Sequence, residues 1–163
     1  AMRTTYQMLT GLGCHSFAAV RELFGPPVKI HSVATASGGQ HVVIVMEFEG
    51  GFLGIYELVN NQNIVQFDAA IEVFQNTRKI LIKYETPYLR YQPAYVEVIE
   101  SSETDTHTTT YGPDFRDAFQ TELAYFAQCI HSGIQPKTSL EDAAADLKLF
   151  QDIIGIMAEQ QGR

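Results

Sequence analysis

Two β-rich runs, 41–49 and 52–59, are separated by Gly50-Gly51 alone. No other feature of the chain restricts the fold as strongly. A two-residue spacer suits a type I′ or II′ turn, because glycine accepts positive φ without steric cost, and so predicts an antiparallel hairpin. More strand-like segments surround it. The stretch 28–36 reads as extended and breaks at Gly38-Gly39. A strand is expected from about 65 to 74, after the polar turn Asn60-Asn61-Gln62-Asn63. Gln75-Asn76-Thr77 turns the chain into 79–84, where Ile80, Ile82 and Tyr84 alternate with Leu81 and Lys83. Pro87 and Pro93 bracket an irregular stretch, and 94–99 and 106–111 read as later strands, the last polar enough for a sheet edge.

Helical periodicity flanks this run. Phe17, Val20, Leu23 and Phe24 form one stripe of a helix expected over about 14–24, which Gly25-Pro26-Pro27 stops. Asp114 is the expected cap of a second helix, with Phe115, Phe119, Leu123, Phe126 and Ile130 as its buried stripe and Gly133 and Pro136 ending it. Thr138-Ser139-Leu140-Glu141 has the spacing of a capping box. Beyond it, Leu140, Ala143, Leu147, Phe150, Ile154 and Met157 recur at helical intervals. Strands flanked by helices, without strict βαβ alternation, predict an α+β fold: an open, mainly antiparallel or mixed sheet with helices packed on one face. The polar segment 1–10 reads as a lead or linker, with Ala1 set aside, and 11–163 as a single domain.

Composition narrows the class of partner. Eleven basic against nineteen acidic residues give a net charge of −8, which argues against a nucleic-acid or anionic-membrane surface. The longest apolar stretch, 42–46, is far too short to span a bilayer, and no secretory apolar region follows Met2. Cys14 and Cys129 read as two free thiols of a reducing compartment, which points to a cytoplasmic protein.

Motifs for self-sufficient catalysis are few. Gly11-Leu12-Gly13-Cys14-His15-Ser16 has the form of a dinucleotide fingerprint, but the segment before it is polar and short, and 31–36 lacks the acid that would hold a ribose. The five histidines show no metal-ligand spacing, with one another or with the cysteines, and no metal is expected. Glu97, Glu100, Glu103 and Asp105 read as a solvated strand end. Tyr88 and Arg90, on a proline-bracketed loop, are candidates for lining a polar or anionic substrate site; an ordinary surface loop is the competing reading. His15 is open between a helix-entry residue and a pocket residue.

Gly11-Leu12-Gly13-Cys14-His15, followed by Arg21-Glu22-Leu23-Phe24-Gly25-Pro26-Pro27, resembles a known pattern. It looks like the opening of the C-terminal domain of the glucose–fructose oxidoreductase, inositol dehydrogenase and MocA-like (Gfo/Idh/MocA) family, written D-x-G-x-H, an amphipathic helix, then G-x-P and a strand. Ile71-Glu72-Val73-Phe74-Gln75-Asn76-Thr77 is similar to that family's strand and turn. So is the ending, Phe115, Phe119, Glu122-Leu123 and Phe126, then Gly133, Pro136 and Ser139-Leu140-Glu141-Asp142-Ala143.

The resemblance implies a division of labour. An N-terminal Rossmann domain of the same polypeptide would bind NAD or NADP, and this chain would be the substrate-binding and oligomerisation domain, with no cofactor bound to it alone. It would act on a hydroxyl or carbonyl compound such as a sugar or polyol, be inactive by itself, and assemble as a homo-dimer or tetramer. His15 falls on the family's histidine, where an imidazole titrating near neutrality takes a carbinol proton. Gly11 stands where the family carries an acid, which puts a Lys–Asp–His relay in doubt. The alternative is a stand-alone, non-catalytic binding or dimerisation module, or a small isomerase-like domain using His15.

Overall fold

The computed structural model describes residues 1–60, 63 and 67–161. The polar turn expected at 60–63 and the first residues of the strand expected from 65 fall largely outside them. Among the described residues the chain is α+β, with its strands in a three-stranded and a four-stranded sheet, both antiparallel. The single open sheet expected from the strand run is therefore two sheets. Periodicity marks which residues extend, but it does not encode which extended segments pair. The chain divides into two compact units, 1–64 with 135–163, and 65–134.

In the first unit, helix α1 (Met2–Met8) runs through a π-helical stretch (Leu9–Gly13) into helix α2 (Cys14–Phe24). The expected lead over 1–10 is thus helical, and it is built into the core. Leu9 is fully buried, and the Thr5 hydroxyl, also buried, donates to the Gly39 carbonyl at 3.2 Å. Gly25, at φ +78°, ends α2 as anticipated. Strands β1 (Lys29–Ala36), β2 (His41–Glu47) and β3 (Leu53–Val59) follow in sheet order β1-β2-β3. The hairpin is present, but its loop is one residue longer than the spacing suggested. Phe48 N–H donates to the Phe52 carbonyl and Gly51 N–H to the Phe48 carbonyl, so Glu49 joins Gly50 and Gly51, both at positive φ, in the loop.

Alternation along β2 sends Val42, Ile44 and Met46 to one face, together with Val33 of β1. Against that face lie Leu9, Phe17 of α2, and Phe150, Ile153 and Met157 of helix α4 (Leu140–Gln161). Each such side chain contributes about 1.5–3 kcal/mol on burial. In this unit the helices do cover one sheet face. Leu23, Leu140 and Leu147, expected in the helix stripes, are exposed instead, and Ile153 takes the central place on α4. The capping box of α4 is shifted by one residue: Ser139 Oγ accepts from Asp142 N–H at 3.1 Å while the Asp142 carboxylate accepts from Ser139 N–H at 2.9 Å.

In the second unit, β4 (Ala69–Phe74), β5 (Arg78–Tyr84), β6 (Ala94–Ser101) and β7 (Thr106–Asp114) pair in chain order, with the polar β7 at an edge as its composition suggests. Register places Ile71, Ile82 and Val96 in one cross-strand row and Val73, Ile80 and Val98 in the next. These rows are half-buried rather than buried. Helix α3 (Ala118–Ser132) is capped by Asp117, whose carboxylate accepts from Gln120 N–H at 2.8 Å, and not by Asp114. Asp114 ends β7 and is held by Arg116. The stripe Phe115, Phe119, Leu123, Phe126 and Ile130 does not form a core: all five side chains are exposed, and Cys129 is the buried residue of α3.

Candidate functional site

Gly11 and Gly13 sit in the π-helical stretch that feeds α2. A helix precedes them and a helix follows, so they form no strand-to-helix turn and build no phosphate cradle. What they permit differs. A side chain at Gly13 would meet the Tyr56 hydroxyl at 3.2 Å, whereas one at Gly11 would meet nothing within 4 Å. Glycine at 13 therefore lets the Tyr56 side chain of β3 come up to the helix, where its ring packs at 4.7 Å from that of Phe17. Short π-helical insertions of this kind recur at functional positions.

His15 follows directly, in the first turn of α2. It is exposed, and no hydrogen bond or ion pair among the described residues engages its ring. Because the helix continues upstream of it, His15 is not a helix-entry residue satisfying orphan backbone groups. It is available as an acid–base group, though not enclosed.

Tyr88 and Arg90 lie between β5 and β6 in the second unit. Tyr88 is 82% exposed, with its ring 6.0 Å from that of Phe119, and Arg90 is also exposed. The Tyr88 and Leu89 amides both turn back to Thr86, at 3.4 Å each. Both side chains stand open on the loop.

The cluster that sequence reasoning missed is centred on Arg21. Its side chain is only 13% exposed and bridges α2 to α4, with Nη1 3.2 Å from the Asp146 carboxylate and Nε 3.7 Å from Asp142. Nη2 is buried without a hydrogen-bond partner among the described residues. Burial pushes the Asp146 carboxyl above its ordinary value, with Arg21 pulling the other way. Bonds from Ser139 hold Asp142 below its ordinary value, helped by Arg21. The signal was present in the i, i+4 pair of acids on a helix otherwise read for its apolar stripe. A groove of about 190 Å³ opens here, lined by Phe17, Val20, Pro26, Pro27 and Leu149 beside the Arg21–Asp146 pair. It falls below the ~300 Å³ at which small-molecule pockets begin. None of His15, Tyr88 and Arg90 lines it. The arrangement does the work of a clamp between two helices.

Among the described residues no group of three or more His, Cys, Asp or Glu is arranged to hold a metal ion, and both cysteines are free thiols. No described helix is long and apolar enough to cross a membrane. Comparison with protein-family models, with curated proteins and with solved structures gives no match to this chain.

Proposed function

We propose that this chain is the substrate-binding and oligomerising domain of an NAD(P)-dependent oxidoreductase acting on a hydroxyl or carbonyl compound, in a cytoplasmic protein. The observation that carries the reading is His15: an exposed imidazole, unengaged among the described residues, in the first turn of α2, directly after a π-helical stretch whose Gly13 admits the Tyr56 hydroxyl. It supplies the proton acceptor that hydride removal from a carbinol requires. The cofactor half of the chemistry would come from another domain, since the glycine segment here is helical on both sides. Free thiols at Cys14 and Cys129 accord with a reducing compartment. Tyr88 and Arg90 are carried in this reading as side chains that reach substrate only when a further surface closes over their loop.

Two measurements test it. The native polypeptide, sized in source-cell extract with an antibody against this chain, should have about twice the chain's mass or more, as one further domain of ordinary size requires. The chain alone should show no saturable binding of NADH or NADPH. A native band at 18.2 kDa, or micromolar nucleotide affinity of this chain, overturns the assignment. The first of these outcomes would install a second reading, a binding or dimerisation module without catalysis, which the bare apolar stripe of α3 favours.

A further inference from the structure

We infer that α3 is a self-association helix whose partner is the α3 of a second copy of this chain, packed antiparallel about a two-fold axis near Phe126. The inference rests on the oligomerising part of the reading above and assigns it a surface. Phe119, Leu123, Phe126 and Ile130 follow one another at intervals of four, three and four, the spacing of a helix–helix seam, and they are 47–68% exposed. Off this stripe, Cys129 is buried and Tyr125 half-buried. With Phe115 and Ile134 at the ends, the bare stripe is of the order of the largest apolar patches that soluble monomers leave uncovered, about 300–600 Å². Tyr88, packed near Phe119, extends it toward the ~800 Å² per partner of a stable interface.

The chemistry of the helix selects a copy of itself. In a chain of net charge −8, α3 carries one carboxylate, Glu122, and no lysine or arginine. Such a surface offers no charge pattern to read a foreign partner and little to repel its twin. Ala127, beside the stripe, leaves room there for close helix axes. An antiparallel dyad sets Phe119 opposite the partner's Ile134 and Leu123 opposite the partner's Ile130, and brings the two copies of Phe126 together at the axis. Leu123, Phe126 and Ile130 then each meet an apolar side chain.

The test is sedimentation equilibrium of the chain over a wide concentration range, beside Leu123→Glu and, as a control on the exposed outer face of the first unit, Ile55→Glu. The wild type and I55E should dimerise. L123E should weaken association by about tenfold or more, as a central apolar anchor does, with its circular dichroism unchanged because Leu123 supports no core. Phe126→Cys in a Cys14→Ser background should form an oxidised dimer in high yield. A monomeric wild type overturns the inference, and so does a dimer that I55E dissociates and L123E does not. A dimer indifferent to L123E would sink only the α3 surface and leave the oligomerising reading standing, while the mass and nucleotide experiments judge the oxidoreductase reading separately.

Discussion

Replacing Leu9 with alanine tests whether the polar-looking start of the chain belongs to the core. Leu9 is fully buried in the cluster that includes Phe17, Ile44 and Phe150. The substitution deletes three carbons, worth about 2.5 kcal/mol in transfer at ~0.8 kcal/mol each. The space left behind adds to this, because neighbours on a helix and a sheet collapse only in part, and buried Leu→Ala changes run from about 2.7 to 5 kcal/mol. We expect a loss of about 3–4 kcal/mol, a large share of the 5–15 kcal/mol by which domains are ordinarily stable.

The assay must report on the first unit, since a chain of two units need not unfold in one step. Amide hydrogen exchange of β2 does so, because its side chains Val42, Ile44 and Met46 form the sheet side of the core. Protection there should fall by about two to three orders of magnitude, at tenfold per 1.4 kcal/mol. Leu12→Ala provides the contrast: Leu12 lies in the same π-helical stretch but is half exposed, so its loss should stay within about 0.5 kcal/mol. Equal, small effects from the two variants would refute the packing of this segment.

Three further outcomes follow from local geometry. Gly54→Ala should cost about 1–3 kcal/mol by urea denaturation, because the new Cβ would lie 2.7 Å from the ring of Phe48, itself buried and stacked on Phe52 at 5.1 Å; a neutral result would mean that this ring stack can shift. Asp117→Ala should cost about 1 kcal/mol through the lost cap and raise exchange in the first turn of α3, whereas Asp114→Ala should leave that turn unchanged; the reverse order would return the cap to Asp114. Asp146→Asn tests the buried pair by pH. A folded-state pKa above the unfolded one makes the contribution of Asp146 greatest below the ordinary carboxyl range and loses it as pH rises through the folded value. The asparagine variant lacks that loss, so its stability relative to wild type should improve as pH rises across this window, and a flat or falling difference would contradict the burial of Asp146.

Elements were legible where a short-range pattern is enough to produce them. The strand runs, the end of α2 at Gly25 and the end of α3 at Gly133 all follow from backbone freedom and alternation. Caps were legible only to within a few residues, because Asp114 and Asp117, or Thr138 and Ser139, offer the same oxygen to the same orphan amides. Helix α1 was hidden by Arg3, Thr4, Thr5 and Gln7, although Tyr6, Leu9 and Gly13 lie at helical intervals; polarity of composition outweighed spacing. On α4 two apolar rows overlap, and which one faces the sheet depends on neighbours that no local window contains. The same lack of neighbours decided α3. Its stripe was correct as a stripe, and reading it as buried presumed a cover that none of the described residues supplies.

The two units differ in this respect, and the difference bears on function. In the first, three helical segments cover one face of the small sheet, and the core is closed. In the second, the four-stranded sheet carries two cross-strand apolar rows that stay half-buried, and α3 leaves its seam bare. A sheet of this size gains independent stability when an apolar face is covered. If α3 pairs with a second copy as proposed, the second unit gains more from that association than the first, and its stability should depend on protein concentration through mass action. Surfaces with that property are suited to setting an assembly. Tyr88 stands at the end of the same seam, its ring against Phe119, so covering α3 also places a wall beside the loop that carries Arg90. Self-association and the shaping of a site at that loop would then be one event.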